Sequence, residues 1–142
     1  PPPPRNKESA QVRRGQVLFE QAGCAQCHLP ALKTGDYPFL PAIAHTTFHA
    51  FTDLLLHDMG EELADGRPEF RAGARDWRTA PLWGIGLSQQ VNGSTHFLHD
   101  GRARNVLEAI LWHGGEAKKS RDAFAAMSKD EREAMIHFVN SL

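Results

Sequence analysis

Apolar side chains recur at helical spacing near the two ends of this chain and lose their periodicity between them. Val12, Phe19 and Ala22 share one face with Gly15, which predicts a helix over residues 9–22. Glycine costs a helix interior about 1 kcal/mol relative to alanine, so Gly15 calls for a packing reason, such as a second helix crossing close by. Gly23 ends the segment. Towards the other end, Asn105 is a good N-cap for a helix over 106–113 that carries Val106, Ile110 and His113 on one face and stops at Gly114-Gly115. A short helix is expected over 118–127, with Phe124 and Met127 turned inward. Ser128-Lys129-Asp130-Glu131 spells a capping box and opens a last helix through Asn140, whose apolar face is Met135, Phe138, Val139 and Leu142.

The middle of the chain reads differently. Residues 29–48 contain Pro30, Gly35, Pro38 and Pro41 and are expected to be loop. The run Phe51–Leu56 is short and apolar, and fits either a strand or a single helical turn. Residues 60–104 hold seven of the 12 glycines together with Arg67, Arg71, Arg75, Arg78, Arg102 and Arg104, and show no clear period. So long an irregular stretch is expected only where it wraps something that supplies the missing core. The fold class is therefore mostly α with long irregular loops. Pro1–Pro4 cannot enter a helix interior, so residues 1–8 read as a linker or a cut end and 9–142 as the domain.

Composition narrows the function classes. A chain of 142 residues is one domain by length. With 41% apolar residues, 23% charged residues and a net charge of −1, it has no bias towards nucleic acid or another strongly charged partner. No apolar run reaches the length of a membrane span, and no signal-peptide pattern is present.

The densest chemical signal is Cys24-Ala25-Gln26-Cys27-His28. This is C-x-x-C-H, the attachment pattern of a c-type haem. Two thiols at this spacing reach one edge of the porphyrin and add across its vinyl groups, and the next imidazole falls beneath the iron as proximal ligand. A zinc site would need a second Cys/His pair, and Cys24 and Cys27 are the only cysteines. A thioredoxin-like pair should follow a strand, whereas this one follows a helical pattern. One covalent haem c is expected, with both cysteines consumed as thioethers and no disulfide. Attachment of this kind takes place outside the bacterial cytoplasm, so the periplasm is the expected compartment.

An N-terminal helix with Gly15 and Phe19, then C-x-x-C-H, then a C-terminal helix bearing Phe138 resembles the class I cytochrome c fold. A sharper resemblance lies in the middle. Arg78-Thr79-Ala80-Pro81-Leu82-Trp83-Gly84, Phe97-Leu98-His99-Asp100-Gly101-Arg102 and Leu107-Glu108-Ala109-Ile110 resemble the C-terminal half of bacterial di-haem cytochrome c peroxidases. Leu55-Leu56-His57-Asp58-Met59-Gly60 and Ile110-Leu111-Trp112-His113-Gly114-Gly115 are similar to the branch called di-haem thiol oxidoreductase-like proteins. The resemblance runs from about Val12 to Leu142 and departs in having one haem motif rather than two. It implies the C-terminal, electron-relay haem domain of a longer di-haem oxidoreductase, with a second haem domain or redox protein as partner. It also implies that the sixth iron ligand falls on His113.

Each candidate has a plainer reading beside it. His113 could be a helix-terminal histidine satisfying the dipole, and Met59 is the rival axial ligand or a core filler. Arg78 and Arg102 are the first candidates for the haem propionates, since guanidinium binds carboxylates bidentately. His99 is expected to be structural in its turn; His45 and His49 are spaced to clip a metal on a helix but lack a third ligand, so they read as surface histidines. His96 and His137 read as surface residues, and Trp77, Trp83 and Trp112 as packing aromatics, of which Trp83 or Trp112 could lie against the porphyrin or between haems. No nucleophile–base pair or paired carboxylates stand out. The reading is one-electron transfer through a haem held by His28 and His113. The competing classes are a peroxidase-like or thiol oxidoreductase enzyme and a module that binds a small ligand at iron; both need an open axial position.

Overall fold

The computed structural model describes residues 5–142; Pro1–Pro4 of the expected linker lie outside the described residues. Helix α1 spans Ala10–Gln21 and ends at Ala22, followed by Gly23 in the left-handed conformation at φ 82°. Helix α5 spans Lys129–Ser141 and starts with the capping box: Glu131 Oε2 accepts from Ser128 N–H at 2.9 Å, and Ser128 Oγ accepts from Glu131 N–H at 3.4 Å. The two helices cross at Gly15. A Cβ there would fall 2.0 Å from the Ala134 carbonyl oxygen and 2.7 Å from Phe138 Cβ, so only a glycine permits this approach. The packing reason that its position demanded is the crossing itself.

Around it lies one core. Phe19 meets Phe138 edge-on at 5.4 Å between ring centres, and Phe51 meets Phe138 at 5.9 Å. Val12, Leu82, Val106, Phe124, Met135, Val139 and Leu142 complete it, with Phe124 and Met135 wholly buried. Helix α3 (Val106–Leu111) is capped by Asn105, whose side-chain oxygen accepts from Glu108 N–H at 2.9 Å. Helix α4 (Lys118–Ala125) delivers Phe124. The chain end is clasped by the loop after Leu82, where Gly84 N–H donates to Leu142 O at 2.9 Å.

The middle follows the sequence reading only in part. Residues 29–48 are loop apart from a 3-10 turn, Pro41–Ile43, and a two-residue antiparallel pairing of β1 (Leu32–Lys33) with β2 (Thr47–Phe48). The Phe51 run forms neither the helical turn nor a full strand. It is irregular, with Phe51 and Leu54 in the left-handed region at φ 55° and 63°, and pairing starts only at β3 (Leu56–Asp58) against β4 (Asp76–Arg78). A one-turn helix, α2 (Ser88–Asn92), interrupts the stretch expected to be irregular and stops at Gly93, φ 71°. It buries no residue and so carries no amphipathic signature. Among the described residues, no helix is long and apolar enough to cross a membrane.

Candidate haem site

Gly23 turns the chain out of α1 into a single 3-10 turn, Cys24–Gln26, and His28 N–H closes back onto Cys24 O at 3.0 Å. This compact turn sets His28 beside the core, its ring 6.3 Å from that of Phe19. His28 Nδ1 lies 3.0 Å from Phe51 O. A carbonyl only accepts, so Nδ1 carries the proton and Nε2 keeps its lone pair. The left-handed backbone at Phe51 is uncommon for an aromatic residue, and the carbonyl it displays is the one that orients His28.

His113 follows α3 by one further turn, His113 N–H donating to Ile110 O at 3.1 Å. Its Nδ1 donates to Ala109 O at 2.7 Å, so this imidazole too leaves Nε2 free. The two rings stand 6.5 Å apart, centre to centre, inclined at 46°. Two imidazoles that share one metal through bonds of about 2 Å have ring centres roughly 6 Å apart. Burial pushes the His28 imidazole down to about 4, and burial also lowers that of His113. Both are neutral near pH 7, the state in which imidazole binds iron.

The cysteines are half-buried thiols. Burial raises Cys24 to about 11. Burial also raises Cys27, helped by the charges of Asp53 and Glu116. Neither thiol has the stabilised anion that marks an activated redox cysteine. The residues present fit a haem: two thiols, an imidazole directly after them and a second oriented imidazole at the spacing of a shared iron.

Sequence reasoning missed the group beside Cys27. His57, 17% exposed, has Nε2 at 2.8 Å from Asp53 Oδ2 and Nδ1 at 2.9 Å from Glu116 Oε2. Glu116 also accepts from Asp58 N–H at 3.0 Å. The hydrogen bond to Glu116, then that to Asp53, raises the His57 imidazole above its usual value, and the His57 bond holds Glu116 below the carboxylate range. Donor atoms of Cys27, Asp53 and His57 gather within 4.8 Å, yet both nitrogens of His57 serve carboxylates, which leaves the ring no lone pair for a metal. The only sequence signal was the Asp53/His57 spacing; Glu116 joins from far along the chain.

The other candidates separate. Arg102 is tied to Asp100 at 2.7 Å and to Glu62 O, with its guanidinium 4.9 Å from the Trp112 ring centre. Arg78 is exposed on β4. Met59 is half-buried, and its carbonyl backs onto Gly114. His99 stacks on Trp77 at 3.6 Å and 9°. Trp83 is exposed beside Phe48, and His96 and His137 are exposed. His45 and His49 are exposed, as the surface reading expected, and share no helix: β2 runs between them, His45 pairs with Asp36, and His49 meets Pro30 O. Two surface hollows of about 490 and 290 Å³ lie elsewhere, one by Glu61 and Arg75 and one between Ile85 and Ile136.

Oriented imidazoles beside a haem-attachment motif define a haem-binding redox domain. The family described as "Di-haem oxidoreductase, putative peroxidase" matches residues 1–142, and the chain belongs to it. No curated protein and no solved structure matches the chain. Membership carries haem binding and oxidoreductase chemistry with it.

Proposed function

We propose that this chain is a c-type cytochrome domain of class I type that relays single electrons. Cys24 and Cys27 attach one haem, and His28 and His113 are its axial ligands. The observation that carries the reading is the imidazole pair, 6.5 Å apart and each fixed through Nδ1 by a backbone carbonyl. A haem held there supplies exchange of one electron between ferric and ferrous iron. The protein keeps both imidazoles neutral and pre-oriented, so the ligands need little rearrangement when iron changes charge. Arg78 is exposed and free to meet a propionate, whereas Arg102 would do so only by sharing its guanidinium with Asp100.

The family is di-haem and this chain has one C-x-x-C-H, so the second haem belongs to another domain or protein, which is the redox partner. The compartment proposed is the bacterial periplasm.

Mass spectrometry of denatured holoprotein, made in a host that attaches haem, should give the polypeptide plus one haem. Optical spectra should be low-spin in both oxidation states, without the weak red band of Met-ligated ferric haem, and carbon monoxide should bind poorly. His113→Ala should turn the spectrum high-spin and admit carbon monoxide rapidly. An unchanged spectrum in that variant, with conversion by Met59→Ala instead, would make Met59 the ligand. A high-spin parent would move the catalytic reading ahead of the relay.

A further inference from the structure

Both imidazoles are braced by one short segment. Phe51 O, at its start, orients His28. Its far end, Leu56–Gly60, receives the turn that carries His113. That docking is intimate: a Cβ on Gly115 would fall 2.1 Å from Asp58 O, one on Gly114 2.7 Å from Met59 O, and one on Gly60 2.8 Å from Gly115 N. Glycines let two backbones touch, but they supply no directional bond that holds the turn in place. The bonds come from Glu116, three residues beyond His113, which accepts from His57 Nδ1 at 2.9 Å and from Asp58 N–H at 3.0 Å. His57 is in turn anchored by Asp53, whose side chain is 7% exposed and which also accepts from Leu55 N–H at 2.9 Å.

We propose that His57, clamped between Asp53 and Glu116, is a positioning residue that latches the His113 turn onto segment 51–60 and so holds His113 opposite His28. The inference rests on the reading that His113 is an iron ligand. An imidazole on a short glycine-bounded turn gains reach only if the turn is fixed, and charge-assisted bonds to a half-buried ring are the strong ones available here. The latch lies on the Cys27 side, with Cys27 Sγ 4.0 Å from His57 Nδ1, so it ties the attachment turn, the proximal brace and the distal turn into one unit.

The test uses holoprotein and flash or stopped-flow binding of carbon monoxide to the ferrous form, with optical spectra. Glu116→Ala removes the latch at a side chain that is 57% exposed and so is unlike a core truncation. It should raise the association rate roughly tenfold or more and bring in a high-spin fraction. Glu116→Gln, which retains an acceptor for the Asp58 N–H, should fall between Ala and the parent. Glu131→Ala serves as control: it destroys the capping box of α5 and lowers the melting temperature without touching the His113 turn, and should leave the rate unchanged. If Glu116→Ala fails to fold, Asp53→Asn and Glu116→Gln report instead, both neutral near-isosteres. A low-spin parent opened by His113→Ala, with the Glu116 and Asp53 variants as slow as the parent, would overturn the latch and leave the ligation standing. A parent already high-spin would overturn both.

Discussion

At the scale of single residues, what the sequence announces is what covalent chemistry constrains. Cys24, Cys27 and His28 are legible because C-x-x-C-H is read from adjacent positions, whatever surrounds it. Asp53, His57 and Glu116 are not, because Glu116 reaches His57 only across 59 positions that the fold brings together. The array has a pH signature. Pairing with Glu116 and then Asp53 raises the His57 imidazole, so its contribution is full below the ordinary histidine value and is lost as pH climbs through the raised one. Pairing with His57 holds Glu116 low, so its contribution is full above the ordinary carboxylate range and is lost as pH falls through the lowered value. The melting-temperature difference between the parent and Glu116→Gln should therefore be widest between those limits and shrink in acid and in alkali. A difference that stayed flat from acid to alkaline pH would mean the pair contributes nothing to folding.

At the scale of elements, legibility follows burial. Helices α1, α3 and α5 were visible because each carries a stripe that the core covers, and their caps and stops fell where Asn105, Ser128 and Gly23 stand. Helix α2 and the strands were not, since one covers nothing and the others exist through two or three cross-strand pairings rather than a run of alternation. The α1–α5 crossing gives a prediction opposite to helix propensity. Gly15→Ala would gain about 1 kcal/mol in an exposed helix, but here the added Cβ lands 2.0 Å from the Ala134 carbonyl oxygen. Forcing the helices apart should cost a net of roughly 1–3 kcal/mol in denaturant unfolding, and Gly15→Leu at least as much. A variant as stable as the parent would mean that the helices do not meet at this residue.

Across the whole molecule, burial is uneven enough to predict how the protein opens. The core is built from α1, α3, α4 and α5 with Phe51 and Leu82, whereas Leu63, Thr79, Leu82 and Ala103 are the only buried residues between 60 and 104. Most of that long segment is held by β3–β4 pairing, by Trp77 Nε1 donating to Leu63 O at 2.9 Å, and by the Trp77–His99 stack; it meets α5 at Gly84–Gly86, where Gly84 N–H donates to Leu142 O at 2.9 Å and a Cβ on Gly86 would fall 1.9 Å from Asn140 O. A region held by a few bonds opens locally, and one held by interlocked side chains opens only with global unfolding. Amide exchange should therefore be slowest in α1 and α5 and faster through 60–104. Phe138→Ala, which removes the ring shared by Phe19 and Phe51, should lower global stability by roughly 3–5 kcal/mol and speed exchange in both regions, because every opening then starts from a weaker core. Trp77→Leu should speed exchange only between 60 and 104, since it breaks a bond and a stack that belong to that segment alone. Acceleration of α1 and α5 by the Trp77 change, read by mass spectrometry on holoprotein, would show instead that the loops and the helical core unfold as one unit.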